Sequence, residues 1–335
     1  MAVVFMDGFD HLAAADLTQK WDNTSSTTGA SKVTGVFSLG SAQRYLNANR
    51  TIQKTVASAA TYIVAFHFRL ESLPASDVAL IIFRESTTTH TDIRVTAAGA
   101  IRATRAGTSL GISSTGLIAT NTWYWLAVLV TVDNSAGVVS VSLNNSSILS
   151  LTSQDTQNGG TAAITNIQIN SVSGGNNDWD NLVIMDTTGG SPTNALPTEE
   201  LRINTQVPNG AGSSAQFTPS ASTNQSNVDD ATSDGDTTYN SSSTSGHIDL
   251  FAIAGFDAGV PYAVQVNMAA RKDDGGTREI REKCRSNGAN YSGSTQALTS
   301  SYVVYREIRH VDPDTAAAWA SAALNAAEFG YELVT

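Results

Sequence analysis

Cysteine is almost missing: Cys284 is the only one in 335 residues. A single thiol excludes an intrachain disulfide and any CxxC zinc site. Arg281, Lys283 and Arg285 flank it and would draw its pKa down, but no histidine stands near it in the chain. It reads as an incidental thiol. Charge is also scarce, with Asp, Glu, Lys and Arg making up 15% of residues and a net of −11. Residues 1–190 hold 10 basic against 13 acidic side chains, a net of −3, and residues 191–335 hold 9 against 17, a net of −8. An acidic surface repels phosphate backbones, and no basic stripe with interleaved aromatics is present, so nucleic-acid binding is not expected. No run approaches the roughly 18–20 apolar residues of a membrane helix, so neither is membrane insertion. The opening MAVVFMDGFD reaches Asp7 without a basic residue or a long apolar core. It does not read as a signal peptide, and synthesis in a cytoplasm without an export signal is expected.

Catalytic motifs are missing too. GTSLG at 107–111 has GxSxG spacing but lies within a run that reads as a hairpin, not on a strand-to-helix turn, and there is no P-loop, GxGxxG or HExxH. The histidines His11, His67, His90, His247 and His310 have no serine or cysteine context. His67, inside AFHFRL, reads as half-buried structure. A glycosidase needs two carboxyl groups facing each other across a cleft. No ExDxxE strand exists, and Glu71 and Glu85 stand isolated at strand ends. The expectation is a protein that is not an enzyme.

What is present is period-2 alternation. Apolar residues make up 41% of the chain, and the polar remainder is mostly Ser, Thr, Asn and Gly. That mixture favours strands and turns over helices. TYIVAFHFRLES sets Tyr62, Val64, Phe66 and Phe68 on one face and Ile63, Ala65 and His67 on the other. DVALIIFRES is more uniformly apolar, as for a strand covered on both sides. DIRVTAAGAIRATRAGTSLG reads as a hairpin turning near Ala98-Gly99. TWYWLAVLVTVDNSAGVVSVSLNNSSILSL gives two more strands around the Asp133–Gly137 turn. AITNIQINSV and NDWDNLVIMD close the series. HLAAADLTQKW is the only briefly helical stretch of this half. Strands of this length and spacing argue for an antiparallel sandwich.

DGFD at the start, the WxW strand WYWLAVLV, the hairpin strand GVVSVSLNN and the final DNLVIMD together resemble a concanavalin A-like, or laminin G-like, jelly roll. That resemblance covers about 185 residues. It implies that the first and last strands of residues 1–187 lie side by side and shut the sheet. TTGGSPTNALPTEE reads as a linker, placed at 188–198. Residues 199–335 read as a second, smaller sandwich, from HIDLFAIAG, PYAVQVNMAARKDD, TREIREKCRSNG, SYVVYREIRHVD and FGYELV. The polar stretch before them, 204–247, reads as long sandwich loops, and DPDTAAAWASAALNAAEFG as the place for a short helical turn. TREIREKCRSNG reads as a strand with a charged outer face that discourages stray edge pairing.

NVDDATSDGDTTYNSS, IDLFAIAG, VQVNMAARKDDGGTREI and DPDTAAAWASAALNAAEFGYEL resemble the C-terminal region of structural proteins of tailed-bacteriophage virions. The resemblance implies a virion protein: a tail-associated fibre or receptor-binding component on the particle surface, attached to other virion proteins. It further implies a homo-oligomer, a trimer being usual for such particles, with host-surface glycan as a further partner. Two alternatives stand beside it, a capsid-decorating or head-fibre protein and a lectin or glycan-degrading enzyme.

Candidate sites are few. Asp229, Asp230, Asp234 and Asp236 invite a calcium reading. Counted from Asp230, Asp234 and Gly235 occupy positions 5 and 6 of a calcium loop, but Ser241 stands where position 12 requires a glutamate. Asp230, Asp234 and Asp236 are therefore non-EF calcium candidates, against the plainer reading of a solvated Asx turn. Asp7, Asp10, Asp178 and Asp180, with Asn176 and Asn177, would converge if the terminal strands pair, to hold a hard cation or to cap strand ends. Trp123, Tyr124, Trp125 and Trp179 have rings able to stack on sugars. Trp123 and Trp125 share one strand face, which reads as interior. Trp21 and Trp319 read as packing anchors, and the sequons at Asn23 and Asn290 follow from composition.

Overall fold

The computed structural model describes residues 3–25, 29–37, 40–46, 50–189, 194–253, 255–256 and 259–335. The chain is all-β and divides into two compact units, Met1–Ile203 and Asn204–Thr335.

The first unit is a jelly-roll-like sandwich. Its front sheet runs in space through Ser146–Gln154, Gly137–Leu143, Tyr124–Thr131, Thr61–Leu70, Asn176–Asp186, Ser41–Leu46 and Ala30–Thr34. The back sheet runs through Thr108–Ile112, Ile101–Arg105, Thr88–Val95, Val78–Glu85, Ile164–Asn170, Thr51–Ala59 and Asn23–Thr24. Alternation explains the interior. Tyr62, Val64, Phe66, Phe68 and Leu70 leave one strand on one side and meet Ile81, Phe83, Ile93, Val95 and Ile101 of the back sheet. Full burial of each such side chain is worth roughly 1.5–3 kcal/mol.

The strand Val3–Asp7 pairs antiparallel with Asn176–Asp186, Phe5 opposite Ile184 and Asp7 opposite Leu182. The two ends of the module are therefore neighbours, as the jelly-roll likeness implies, and Val3–Asp7 covers the Leu182–Met185 stretch beyond the Asn176–Trp179 stretch paired with Ser41–Leu46. The expected hairpins form. Gly99, at φ +67°, turns Thr88–Val95 into Ile101–Arg105, and Asp133 Oδ1 accepts the Ser135 and Ala136 N–H groups in the next turn. HLAAADLTQKW holds a 3-10 helix, Ala14–Gln19.

In the second unit the larger sheet runs through Gly210–Ala215, Ile248–Ala252, Glu328–Leu333, Glu279–Ser286 and Ala289–Ser292, with Gln296–Ala297 also on Glu279–Ser286. Val264–Ala270 and Val303–Arg309 form a two-stranded layer. Met268 and Tyr305 from that layer pack on Ile280 of the larger sheet. Ser321–Ala326 is the α-helix of the alanine-rich segment. The polar stretch 204–247 is organised by one buried carboxylate. Asp249 Oδ1 accepts the Gln216 and Phe217 N–H groups at 2.6 and 2.9 Å, and its Oδ2 accepts the Asn224 amide at 2.8 Å.

Candidate functional site

The face of the front sheet turned away from the core carries a cluster of buried polar groups, His67, Asp178 and Asp180. Register sets them in two rows. Trp125 lies opposite His67, and His67 opposite Asp180. One step along, Arg69 lies opposite Asp178, and Asp178 opposite Arg44. Odd and even positions of these strands thus divide between chemistry and core. The parity corrects one expectation: the face shared by Trp123 and Trp125 is the outer one. Tyr124, Leu126, Val128 and Val130 fill the interior instead, together with Trp179.

Asp178 holds the end row together. Arg44 gives it two bonds, Nε to Oδ1 at 2.7 Å and Nη2 to Oδ2 at 2.9 Å. Arg69 gives two more to Oδ2, at 2.9 Å from Nε and 2.6 Å from Nη2. The Arg69 guanidinium also lies 4.8 Å from the Trp123 ring centroid.

The middle row is boxed in. His67 sits 4.8 Å from Trp125 and 5.3 Å from Phe37, ring centre to ring centre. Across it runs the segment 194–203, whose Leu196 and Leu201 pack on Ala65, Trp125 and Ala127. Glu200 Oε2 comes within 3.5 Å of His67 Nε2, an ionic distance without hydrogen-bond geometry. Arg202 stacks over Phe37 at 5.2 Å. Asn181 adopts a left-handed φ of +49° at a bulge of its strand, and its Oδ1 accepts the Ile203 N–H at 2.7 Å. This strap is why the first unit extends past Asp186. Residues 190–193 of the expected linker lie outside the described residues.

Burial pushes the His67 imidazole below its ordinary value, with Glu200 opposing. Asp180 is pushed up to about 7, chiefly by burial and also by Asp10 and Asp7, although the Val36 and Asn181 N–H groups bond it. At neutral pH it holds part of its proton.

The four N- and C-terminal aspartates do not form one cluster of free oxygens. Asp7 points inward, where it accepts Trp21 Nε1 at 2.7 Å and the Phe9 N–H at 2.9 Å and pairs with Lys20 at 3.2 Å. Burial alone would raise Asp7, but Lys20, His11, Lys32 and the Phe9 N–H outweigh it and hold the carboxyl at about 2. Asp10 Oδ1 accepts the Ser41 N–H at 2.5 Å. Asn177 caps its own turn through the Val172 and Ser173 N–H groups. Among the described residues no three His, Cys, Asp or Glu side chains gather as a metal group.

The other candidates are placed as follows. Asp236 is held by Arg271 at 3.0 Å and Tyr302 at 2.8 Å, Asp234 Oδ2 accepts Thr238 at 2.9 Å, and Asp230 stands 3.5 Å from the same hydroxyl. Glu71 accepts the Asn176 N–H at 2.8 Å at the end of a front strand, whereas Glu85 accepts from Thr161 at the end of a back strand. His11 is driven down to about 3 by burial and by Lys20. His90 Nδ1 accepts the Asn158 N–H, and His247 Nδ1 bonds Ser242. Alternation puts Arg281 and Lys283 on the opposite face of their strand from Cys284, where Glu332 takes both. The thiol faces Trp319, Leu324 and Phe329, and burial pushes it up to about 12. Glu282 departs from the charged-outer-face expectation: it points inward to Arg309. The strap residues and Asn181 were not singled out from sequence. Their signal is slight, two leucines in a Pro-containing polar run.

No family model and no curated protein matches the chain. Solved structures do. Alginate lyase Aly36B is 14% identical over 55% of this chain and 96% of that one, with a TM-score of 0.39. A Trypanosoma rangeli sialidase bound to the inhibitor DANA is 12% identical over 47% of this chain and 26% of its own, TM-score 0.35. The carbohydrate-binding module CBM66 from Bacillus subtilis is 10% identical over 49% and 94%, TM-score 0.33. At these identities and scores the likeness is one of β-sandwich architecture and carries no argument about ligand or reaction.

Proposed function

We propose that this is a non-enzymatic adhesion and assembly protein displayed on the surface of a tailed-phage particle, as a tail-associated component and a homo-oligomer. The observation that carries the non-enzymatic part is the internal pairing of the outer face. Asp178 is committed to two guanidiniums, Asp180 to two backbone N–H groups, and the centre lies under the chain's own strap. A hydrolase spends such groups on substrate; here they hold the surface in shape. The display part is supported by the virion-protein likeness of segments within residues 227–333. Repeated copies on one particle would turn weak contacts into firm attachment by raising effective concentration. Antibody labelling of purified particles tests the reading: label at the tail is expected, and particles free of the protein overturn it.

A further inference from the structure

We propose that the floor beneath the 194–203 strap is a binding site for a neutral saccharide, and that the strap is its displaceable cover. This rests on the adhesion reading and names the ligand class for it. The floor consists of Trp125, His67 and the small pair Ala65 and Ala127, which face each other in register. Trp125 is 1% exposed and His67 2% exposed. Yet the indole Nε1 of Trp125 and Nδ1 of His67 have no hydrogen-bond partner. What the strap lays over them is chiefly Leu196 and Leu201. An indole N–H and an imidazole buried beneath leucines are poorly matched, because a buried polar group without a partner loses its hydration and regains nothing.

A sugar ring supplies what the strap lacks. Its hydroxyls both donate and accept, suiting an N–H and a ring nitrogen side by side, while its C–H face lies on the indole. Two acids border the floor, Asp180 in register with His67 and Glu200 at 3.5 Å from it. They disfavour an anionic ring, so the class is neutral. The strap is suited to leave. It is not a strand of either sheet, and its anchors include buried Pro197, the two leucines, the Glu200 contact, the Arg202 stack and the bond from Ile203 N–H to Asn181.

The test uses the full chain on an array of neutral oligosaccharides of glucose, galactose, mannose and N-acetylglucosamine, with uronate-containing oligosaccharides beside them. The Leu196→Ser/Leu201→Ser variant opens the cover and is expected to gain at least tenfold signal over the parent on a neutral class. Adding Trp125→Phe, which keeps a ring and removes the N–H, is expected to return the signal to the parent level. No gain on neutral sugars, gain on uronates only, or gain insensitive to Trp125→Phe overturns the proposal. Circular dichroism and melting curves check folding. If the double serine variant does not fold, Glu200→Gln/Leu201→Ala is read by the same criteria. Absence of the protein from particles would defeat the display reading and leave the array result standing.

Discussion

Asp178→Ala removes the carboxylate that two guanidiniums share. The parent makes four charge-assisted bonds at 2.6–2.9 Å to a side chain only 2% exposed. Breaking one partner out of a fully buried pair costs about 3–5 kcal/mol. Arg44 and Arg69, however, are 26% and 27% exposed, so water recovers part of that loss. About 2–3 kcal/mol remains, including the repulsion between two cations left facing each other. In a unit of this size each kcal/mol moves Tm by about 2–4 °C, so a fall of about 4–12 °C is expected in the first unit's transition. Differential scanning calorimetry of parent, Asp178→Ala and Arg44→Gln measures it. Arg44→Gln should cost less, because Arg69 still neutralises Asp178. A fall under about 2 °C for Asp178→Ala would refute the claim that this row is held by its buried acid.

Asp180 gives a pH-dependent outcome. Its folded carboxyl is held near 7, above the ordinary value, so the folded state binds its proton more tightly than the unfolded one. That contribution is present below the ordinary carboxylate range and is lost as pH rises toward 7. Asp180→Asn should therefore stabilise the first unit at pH 8, by on the order of 1–3 kcal/mol, and make little difference at pH 4; melts at both values decide it. Cys284, buried and pushed up to about 12, should resist Ellman's reagent in the folded protein and react fully in guanidinium. Millimolar calcium should leave the melting curve of the second unit unchanged, because Asp234 and Asp236 already bond Thr238, Arg271 and Tyr302.

Much of the architecture was legible in the chain because strands with a dry face must alternate. The Tyr62–Leu70 pattern reported the sandwich, and the jelly-roll likeness carried by DGFD and DNLVIMD implied its closure. Parity failed at Tyr124–Thr131, where both faces are apolar: Tyr124 and Leu126 line the core while Trp125 and Ala127 lie under the strap. Alternation cannot say which apolar face is interior when a second layer covers the other. Residues 194–198 of the strap were read as linker and 199–203 as the start of the second sandwich, since Gly, Pro and Thr mark a break in regular structure and say nothing of where the chain goes next. Asp249 escaped notice for a related reason: its partners stand about 25–33 residues away, and such pairing leaves no local pattern.

The most direct test of the non-enzymatic reading is a turnover assay. The parent and the strap-opened Leu196→Ser/Leu201→Ser protein are incubated with neutral and uronate-containing polysaccharides, and new reducing ends and unsaturated products are followed. The account predicts neither product above the protein-free blank for either protein. Release that disappears on substituting Asp180→Asn or His67→Ala would contradict it.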